Sequence, residues 1–464
     1  MQPAPPAASV VERVERGRLL RILGIGFGLA VIIGNTIGAG ILRTPGEVAA
    51  RLPEVGLFLG VWVAGGGYAL LGAISIAELG TMLPRSGGQY IFARYALGDY
   101  AGFVVGWSDW ISTCGSSAAI SIVIGEYLGV LFPALARYSV SIALAIVVAF
   151  AVLQWRGLRW GSNIQNVTSL LKALAFVALI AACFLLGGKG SGGESTLQAA
   201  PTGSGGLIAV VLALQAVIYT YDGWTGVIYF SEEVRNPGRD IPRSMLGGVL
   251  AIIAIYLLVN LAVLYVLPIS QIGGSDLAVG AAAQAIFGAH GDTIIRALTV
   301  LSLLSAVNAC QMMATRVLFA MSRDGLFTQK AATVNPGGTP TLTLFVTTLV
   351  AVLFILGGAF ENSRRIFENI IAVVAFFFVA NYAISFISLF VLRRREPARE
   401  RPYRAWGYPW TTGLALAGSI AFMGGAIASD RKNSLYALIG LGASYPVFLW
   451  LRRLRSRDGK DGLV

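Results

Sequence analysis

Apolar runs of about 18–30 residues recur along this 464-residue chain, separated by short polar connections. A bilayer core about 30 Å thick needs about 20 apolar residues of helix to cross it. No water reaches the backbone there, so each run must satisfy its own N–H and C=O groups as a helix. The competing solution, a β-barrel, needs alternating segments of about ten residues, and the sequence has none. Twelve spans are predicted, over about 22–42, 56–80, 99–131, 138–155, 160–187, 207–230, 245–268, 293–322, 341–360, 366–392, 411–428 and 434–451. Only 12% of residues are charged and the mean hydropathy is +0.73, against about 25% charged in an ordinary soluble chain. The fold class expected is all-α and integral to the membrane.

The formal net charge of +12 invites a nucleic-acid reading, but its location excludes one. Lys and Arg flank the apolar runs, as in "RRREPARERPYR" (393–404) and "RRLRSRDGK" (452–460), where they orient the chain and attract anionic lipid heads. Twelve spans leave both termini on one side. With the N-terminus inside, Lys and Arg divide 24 to 8 in favour of inner segments, so both termini are expected in the cytoplasm. The basic start followed by an apolar run resembles a signal peptide, but with so many spans after it we read it as an uncleaved first span. The predicted division is a tail over 1–21, a ten-helix core over 22–392 (halves 22–187 and 207–392), two further helices within 411–451, and a tail over 452–464. The segment 84–100 is amphipathic and is expected to lie along the cytoplasmic surface.

Enzyme chemistry finds little support. Cys114, Cys183 and Cys310 each fall inside an apolar run, which gives neither a disulfide framework nor metal-ligand spacing. The single histidine, His290, lies in a connection. No nucleophile–base pairing emerges, and no cofactor or metal is expected.

The first span carries "VIIGNTIGAGILRTPG" (31–46), with Gly34, Gly38 and Gly40 at its middle. Glycine costs a helix interior up to about 1 kcal/mol relative to alanine. Close packing through small residues explains the Gly34–Gly38 spacing, but it does not call for Asn35 and Thr36. A broken helix does. Unwinding here frees N–H donors at the start of the outer half, where partial positive charge suits a carboxylate. It also frees carbonyls that suit an ammonium group or a cation. Backbone exposed in mid-membrane is tolerated where it lines a cavity. A second interruption, Asp222-Gly223 in "IYTYDGWTGVIYFSEEVRNPGRDIPRS" (218–244), lies five spans later among Tyr219, Tyr221 and Trp224. Breaks at corresponding places in two halves point to an inverted-repeat transporter, here five helices plus five.

Lys172 is the third anomaly, a lone ammonium in an apolar run and a functional candidate by default. Twelve residues of helix place it roughly 18 Å from the inner end of its span, level with both breaks. It can neutralise carbonyls freed in the first span, carry a proton through turnover, or pair with Asp109 or Asp222. Glu78 and Glu126, near span ends, read as solvated or gating groups. Trp62 and Trp155 read as interface anchors.

These residues resemble the amino acid–polyamine–organocation superfamily, and among its branches the bacterial relatives of the L-type amino-acid transporters. The resemblance rests on "GNTIGAGI" (34–41), "AELGTMLPRSGGQYIFARYALGDYAGFVVGW" (77–107), "YDGWTGVIYFSEEVRNPGRDIPRS" (221–244), "RVLFAMSRDGLF" (316–327) and "ERPYRAWGYP" (400–409). It implies a LeuT-type fold, with the first and sixth helices broken, that moves amino acids by alternating access in a plasma membrane, here a bacterial inner membrane. It also implies a substrate site built from Gly34, Thr36, Ile37, Gly38, Ala39, Gly40, Tyr219, Tyr221, Asp222, Gly223 and Trp224. Within it the amides of Gly38, Ala39 and Gly40 would hold the carboxylate, and carbonyls near Thr36, Tyr219 and Asp222 would hold the amino group. Ser116 would lie in the side-chain pocket. Lys172 matches the family's fifth-helix lysine, which implies sodium-independent transport by proton symport or by exchange. Neutral amino acids are the expected substrates. A cationic amino-acid or polyamine exchanger and a non-transporting nutrient sensor on the same fold are the alternatives. Span three lacks the exposed cysteine that tethers eukaryotic relatives to a glycoprotein, so no such subunit is expected. Substrates and membrane lipids are the expected partners, protons stay open, and the oligomeric state is undetermined.

Overall fold

The computed structural model describes residues 19–188, 203–359 and 363–458, and side chains within them except at 203–204, 359, 363–372 and 454–458. The described chain is helical, with one isolated strand-like bridge between Leu23 and Val234. In order the helices are α1 (Ile25–Thr36), α2 (Gly40–Arg51), α3 (Val55–Met82), α4 (Gln89–Leu97), α5 (Asp99–Leu131), α6 (Ser139–Trp155), α7 (Leu158–Leu186) and α8 (Gly203–Thr220). There follow α9 (Pro237–Val266), α10 (Ala278–Phe287), α11 (Gly291–Arg323), α12 (Thr341–Ala359), α13 (Ser363–Arg395), α14 (Trp410–Ser429) and α15 (Arg431–Asp458). A one-turn helix, Ile269–Ile272, joins α9 to α10.

Ten of these helical stretches are long and apolar enough to cross a bilayer. The pair α1 and α2 passes only as a unit bent by 46°, and α8 is a shorter apolar helix. The sixth span was expected to continue to residue 230. Its helix ends at Thr220 instead, passes through a turn at 221–225, and resumes as a tight 3-10 segment over Gly226–Phe230. Gly223 has φ of +110°, a backbone region that side chains with a Cβ rarely adopt.

Burial sorts the helices into an inner and an outer set. Along α3, α5 and α11 more than half of the apolar window is buried in the protein, whereas along α6 the figure is 11% and along α14 and α15 it is 22%. Lipid accepts apolar side chains as readily as a core does, so the outer helices show leucine, valine and tryptophan on their open faces.

Three expectations are corrected here. The amphipathic segment does form a helix, α4, but Gln89, Tyr90, Ile91, Phe92, Ala93 and Ala96 on it are buried. It packs inside the protein because Tyr90 finds a carboxylate partner there, donating to Asp324 at 3.0 Å. Glu78 is wholly buried rather than solvated. Arg393 holds both its oxygens at 2.7 and 2.6 Å, Arg401 lies 3.1 Å away, and the Ala405 amide donates to it at 2.6 Å. Trp62 is no interface anchor. It is fully buried and meets Tyr221 and Tyr256 edge-on, with ring centroids 6.1 and 5.8 Å away. Trp155 is 59% exposed, which agrees with the anchor reading.

Candidate functional site

Helix α1 stops where the glycines begin. The last bond of its inner half runs from the Ile37 amide to the Ile33 carbonyl at 3.0 Å, and Leu42 bonds back to Ala39 at 3.2 Å. In between, the amides of Gly38, Ala39 and Gly40 have no backbone acceptor among the described residues. All three residues are partly exposed although they lie in the middle of the span. A Cβ added at Gly38 would have only Leu303 Cδ2 near it, 4.0 Å away, so the side-chain position of Gly38 is open.

The second break packs directly on the first. A Cβ at Gly223 would come within 2.7 Å of Asn35 Nδ2 and 3.0 Å of the Thr36 amide. Only a residue without a Cβ allows that approach. Thr44 and Thr220 join the two outer halves through a hydroxyl pair at 2.8 Å. The Tyr256 hydroxyl, from α9, lies 2.9 Å from the Thr36 carbonyl and 3.0 Å from the Thr220 carbonyl. One side chain thus serves the C-terminal ends of both inner and outer half-helices.

Lys172 lies on α7 and is completely buried. Its ammonium donates to the carbonyls of Gly34 at 2.8 Å and Ile37 at 2.6 Å. No carboxylate pairs with it among the described residues, so the expected alternatives at Asp109 and Asp222 are not its partners. Around it, Gln165 and Ser169 of α7 and Ser305 of α11 hydrogen-bond one another at 3.1–3.2 Å, and both α7 side chains donate to the Ala30 carbonyl. Asn308 extends the network to Gln165 Oε1 at 2.8 Å. Helix α1 is therefore tied to α7 through the carbonyls of Ala30, Gly34 and Ile37, and α11 joins through Ser305, which bonds the α7 side chains.

Two further carboxylates, the buried Asp109 and the half-buried Asp222, are met by tyrosines. The Tyr382 hydroxyl donates to Asp222 Oδ1 at 2.5 Å. Tyr229 reaches both Asp109 oxygens at 2.9 and 3.0 Å. Trp224 is buried and stacks on Tyr382, centroids 4.9 Å apart. Tyr221 is buried against Tyr256 at 4.9 Å. Ser116 is half-buried on α5, one turn before Ile120, which packs with Ala39 and Leu303; no hydrogen bond brings its hydroxyl to the break. Tyr219 is half-buried and borders a cavity of about 330 Å³ between α2, α8, α13, α14 and α15, with Thr44, Gln215, Phe376, Phe422 and Asn433.

On the other side of the breaks, the start of α1 and the segment after Phe230 are held together. Leu23 exchanges backbone bonds with Glu233 and Arg235 at 2.9 and 2.8 Å. Arg316, 1% exposed, grips the fully buried Glu233 with two bonds at 3.1 Å. Arg323 holds Glu232 at 2.8 Å.

Tyr256, Tyr382, Tyr229, Gln165, Ser169 and Ser305 were not among the sequence-derived site residues. Gln165 and Ser169 sit in the polar stretch "SNIQNVTS" (162–169) and Tyr382 follows Asn381, so little sets them apart; Tyr256, in "AIIAIYLLVN", is the one that stands out from its neighbours.

Many apolar helices around two touching helix breaks define a membrane transport protein. The amino acid permease family model matches residues 28–450, and the chain belongs to that family. It is similar to the serine/threonine exchanger SteT of Bacillus subtilis, at 29% identity over 449 residues, 95% of this chain and 99% of that protein. It is also similar to human b(0,+)-type amino acid transporter 1, at 26% identity over 83% of this chain and 79% of the relative. Mouse Asc-type amino acid transporter 1 is 28% identical over 84% and 74%. The protein is a multi-pass membrane amino-acid transporter of the amino acid–polyamine–organocation superfamily, related to the L-type transporters.

Proposed function

We propose that the protein exchanges small neutral amino acids, independently of sodium, by alternating access around the paired breaks. The observation that carries this reading is the Lys172 ammonium on the carbonyls of Gly34 and Ile37. A basic side chain supplied by the chain fills the place that a bound metal cation would take at carbonyls freed by unwinding. The substrate carboxylate then takes the free amides of Gly38, Ala39 and Gly40 at the start of α2. Its ammonium takes carbonyl oxygens near Thr36, Tyr219 and Asp222. Gly34, Ile37 and Gly223 shape the two breaks, Tyr221 and Trp224 wall them, and Ser116 borders the side-chain end.

Neutral substrates are favoured over cationic ones because the Asp222 carboxylate already accepts from Tyr382. The similarity to a serine/threonine exchanger supports small hydroxyl-bearing substrates and exchange rather than proton symport. In this reading twelve spans cross a bacterial inner membrane with both termini in the cytoplasm. The cavity beside Tyr219 then faces outward, the Arg316–Glu233 pair inward, and the chain works without a glycoprotein subunit.

Proteoliposomes test this directly. Labelled serine should enter vesicles preloaded with serine or threonine at least tenfold faster than empty ones, with or without sodium or a proton gradient. Lys172→Ala should lose at least tenfold of that exchange while remaining monodisperse. Sodium-dependent uptake, or proton-driven uptake into empty vesicles, would overturn the assignment.

A further inference from the structure

A groove of about 430 Å³ opens between the start of α1 and the start of α7, away from the paired breaks. Leu23, Gly24, Gly26 and Phe27 line one wall, Arg159, Ser162, Asn163 and Asn166 the other, and Arg235 the rim. Nothing lies within 4 Å of a Cβ placed on Gly24 or Gly26, so the wall is open to a ligand. Arg159 and Arg235 are both exposed, and among the described residues neither guanidinium pairs with a carboxylate. Arg316 and Arg323, by contrast, are engaged with glutamates, and Arg85 and Arg94 with Asp324. Two uncompensated guanidinium groups and two side-chain amides around one concavity select an anion with several acceptor oxygens.

What surrounds the groove narrows the anion. Arg159 is the second residue of a membrane-spanning helix and Gly24 immediately precedes another, which puts the groove at the headgroup level of a bilayer. On α7 the polar groove residues continue into an apolar stripe at helical spacing. Arg159, Asn163 and Asn166 lead to Val167, Leu170, Leu174 and Val177, which are 57, 60, 57 and 54% exposed. Trp160, 54% exposed, stands beside the first turn as aromatics do at the membrane–water boundary. A basic concavity followed along one helix by an open apolar track matches a molecule with an anionic head and long acyl chains.

We propose that this groove is a binding site for an anionic phospholipid, its phosphate between Arg159 and Arg235 and its chains along α7. The site reaches across elements that the Leu23 backbone pairing holds together: Leu23 of the chain entering α1, and Arg235, five residues beyond the 3-10 segment Gly226–Phe230. A bound headgroup therefore favours the arrangement in which the inner halves of both broken helices are closed.

Native mass spectrometry of the purified protein tests the site without reference to transport. Phosphatidylglycerol should be retained at least fivefold over phosphatidylcholine. Arg159→Gln combined with Arg235→Gln should remove that preference. Arg243→Gln, an exposed arginine outside the groove, should leave it unchanged. Excess glycerol 1-phosphate or sodium phosphate should not displace the lipid, since neither has chains for the α7 track. Equal retention by the double variant, or equal loss in the Arg243 control, overturns the site. Displacement by free phosphate at matched concentration overturns the lipid as its occupant. Both arginines are solvent-facing, and melting temperatures, together with the two single substitutions, separate loss of binding from loss of fold.

Discussion

Gly34, Gly38 and Gly40 look alike in the sequence and do three different jobs in the structure. At Gly34 a Cβ would run into Gln165, Ser169 and Ser305, so Gly34→Ala overpacks the contact that ties α1 to α7 and α11. A loss of about 1–3 kcal/mol is expected, read as reduced thermal stability. At Gly40 the nearest atoms belong to Thr220 at 3.1 Å, and Gly40→Val strains the link between the two outer half-helices. At Gly38 the space is open, so Gly38→Val should leave the melting temperature unchanged and weaken substrate binding at least tenfold. Unaltered affinity in that variant would remove the carboxylate site from the Gly38 amide. The glycines were legible because their helix penalty has no other use in mid-span. Tyr256 and Ser305 were not. Their role depends on which carbonyl or side chain they face, and spacing along one helix does not encode that.

Between elements, the decisive contacts are buried charges. Glu233, on the segment that follows the second break, is locked to Arg316 of α11, and Arg316 also lies over the Phe230 ring at 5.2 Å. Removing one partner of a buried pair leaves an uncompensated charge and costs about 3–5 kcal/mol, whereas replacing both with apolar groups can be neutral. Glu233→Leu alone should therefore sharply lower the yield of folded protein, and Glu233→Leu with Arg316→Met should restore it. A double variant no more stable than the single one would sink this account. Glu78 anchors the basic connection after α13 in the same way, through Arg393, Arg401 and the Ala405 amide. Its sequence position near a span end suggested solvent. The opposite holds because Arg393 of α13, Arg401 and the Ala405 amide close over it, from residues more than three hundred positions away. Helix α4 shows the same limit. Its amphipathic pattern correctly marked a helix with one apolar face, but pattern alone does not distinguish a lipid surface from a protein groove.

For the whole molecule, the proposed orientation places the α14–α15 connection outside and the α6–α7 connection inside. All three native cysteines are buried, so single introduced cysteines have a quiet background. A membrane-impermeant maleimide added to intact cells should label Lys432→Cys and spare Arg156→Cys until the cells are opened. The reverse pattern would invert the topology. By itself the sequence determined that the chain crosses a membrane as helices, and it pointed to interruptions around residues 34–40 and at 222–223. Those features follow from local physics: hydropathy over a helix length, and the backbone cost of Gly38, Gly40 and Gly223. Only the tertiary structure decided that Gly223 rests on Asn35 and Thr36, that Lys172 caps two carbonyls rather than pairing with Asp109 or Asp222, and that tyrosines from α9 and α13 meet the breaks. These partners come from helices far apart in the chain, and their meeting is set by how many nearly equivalent apolar helices pack, which no local pattern specifies.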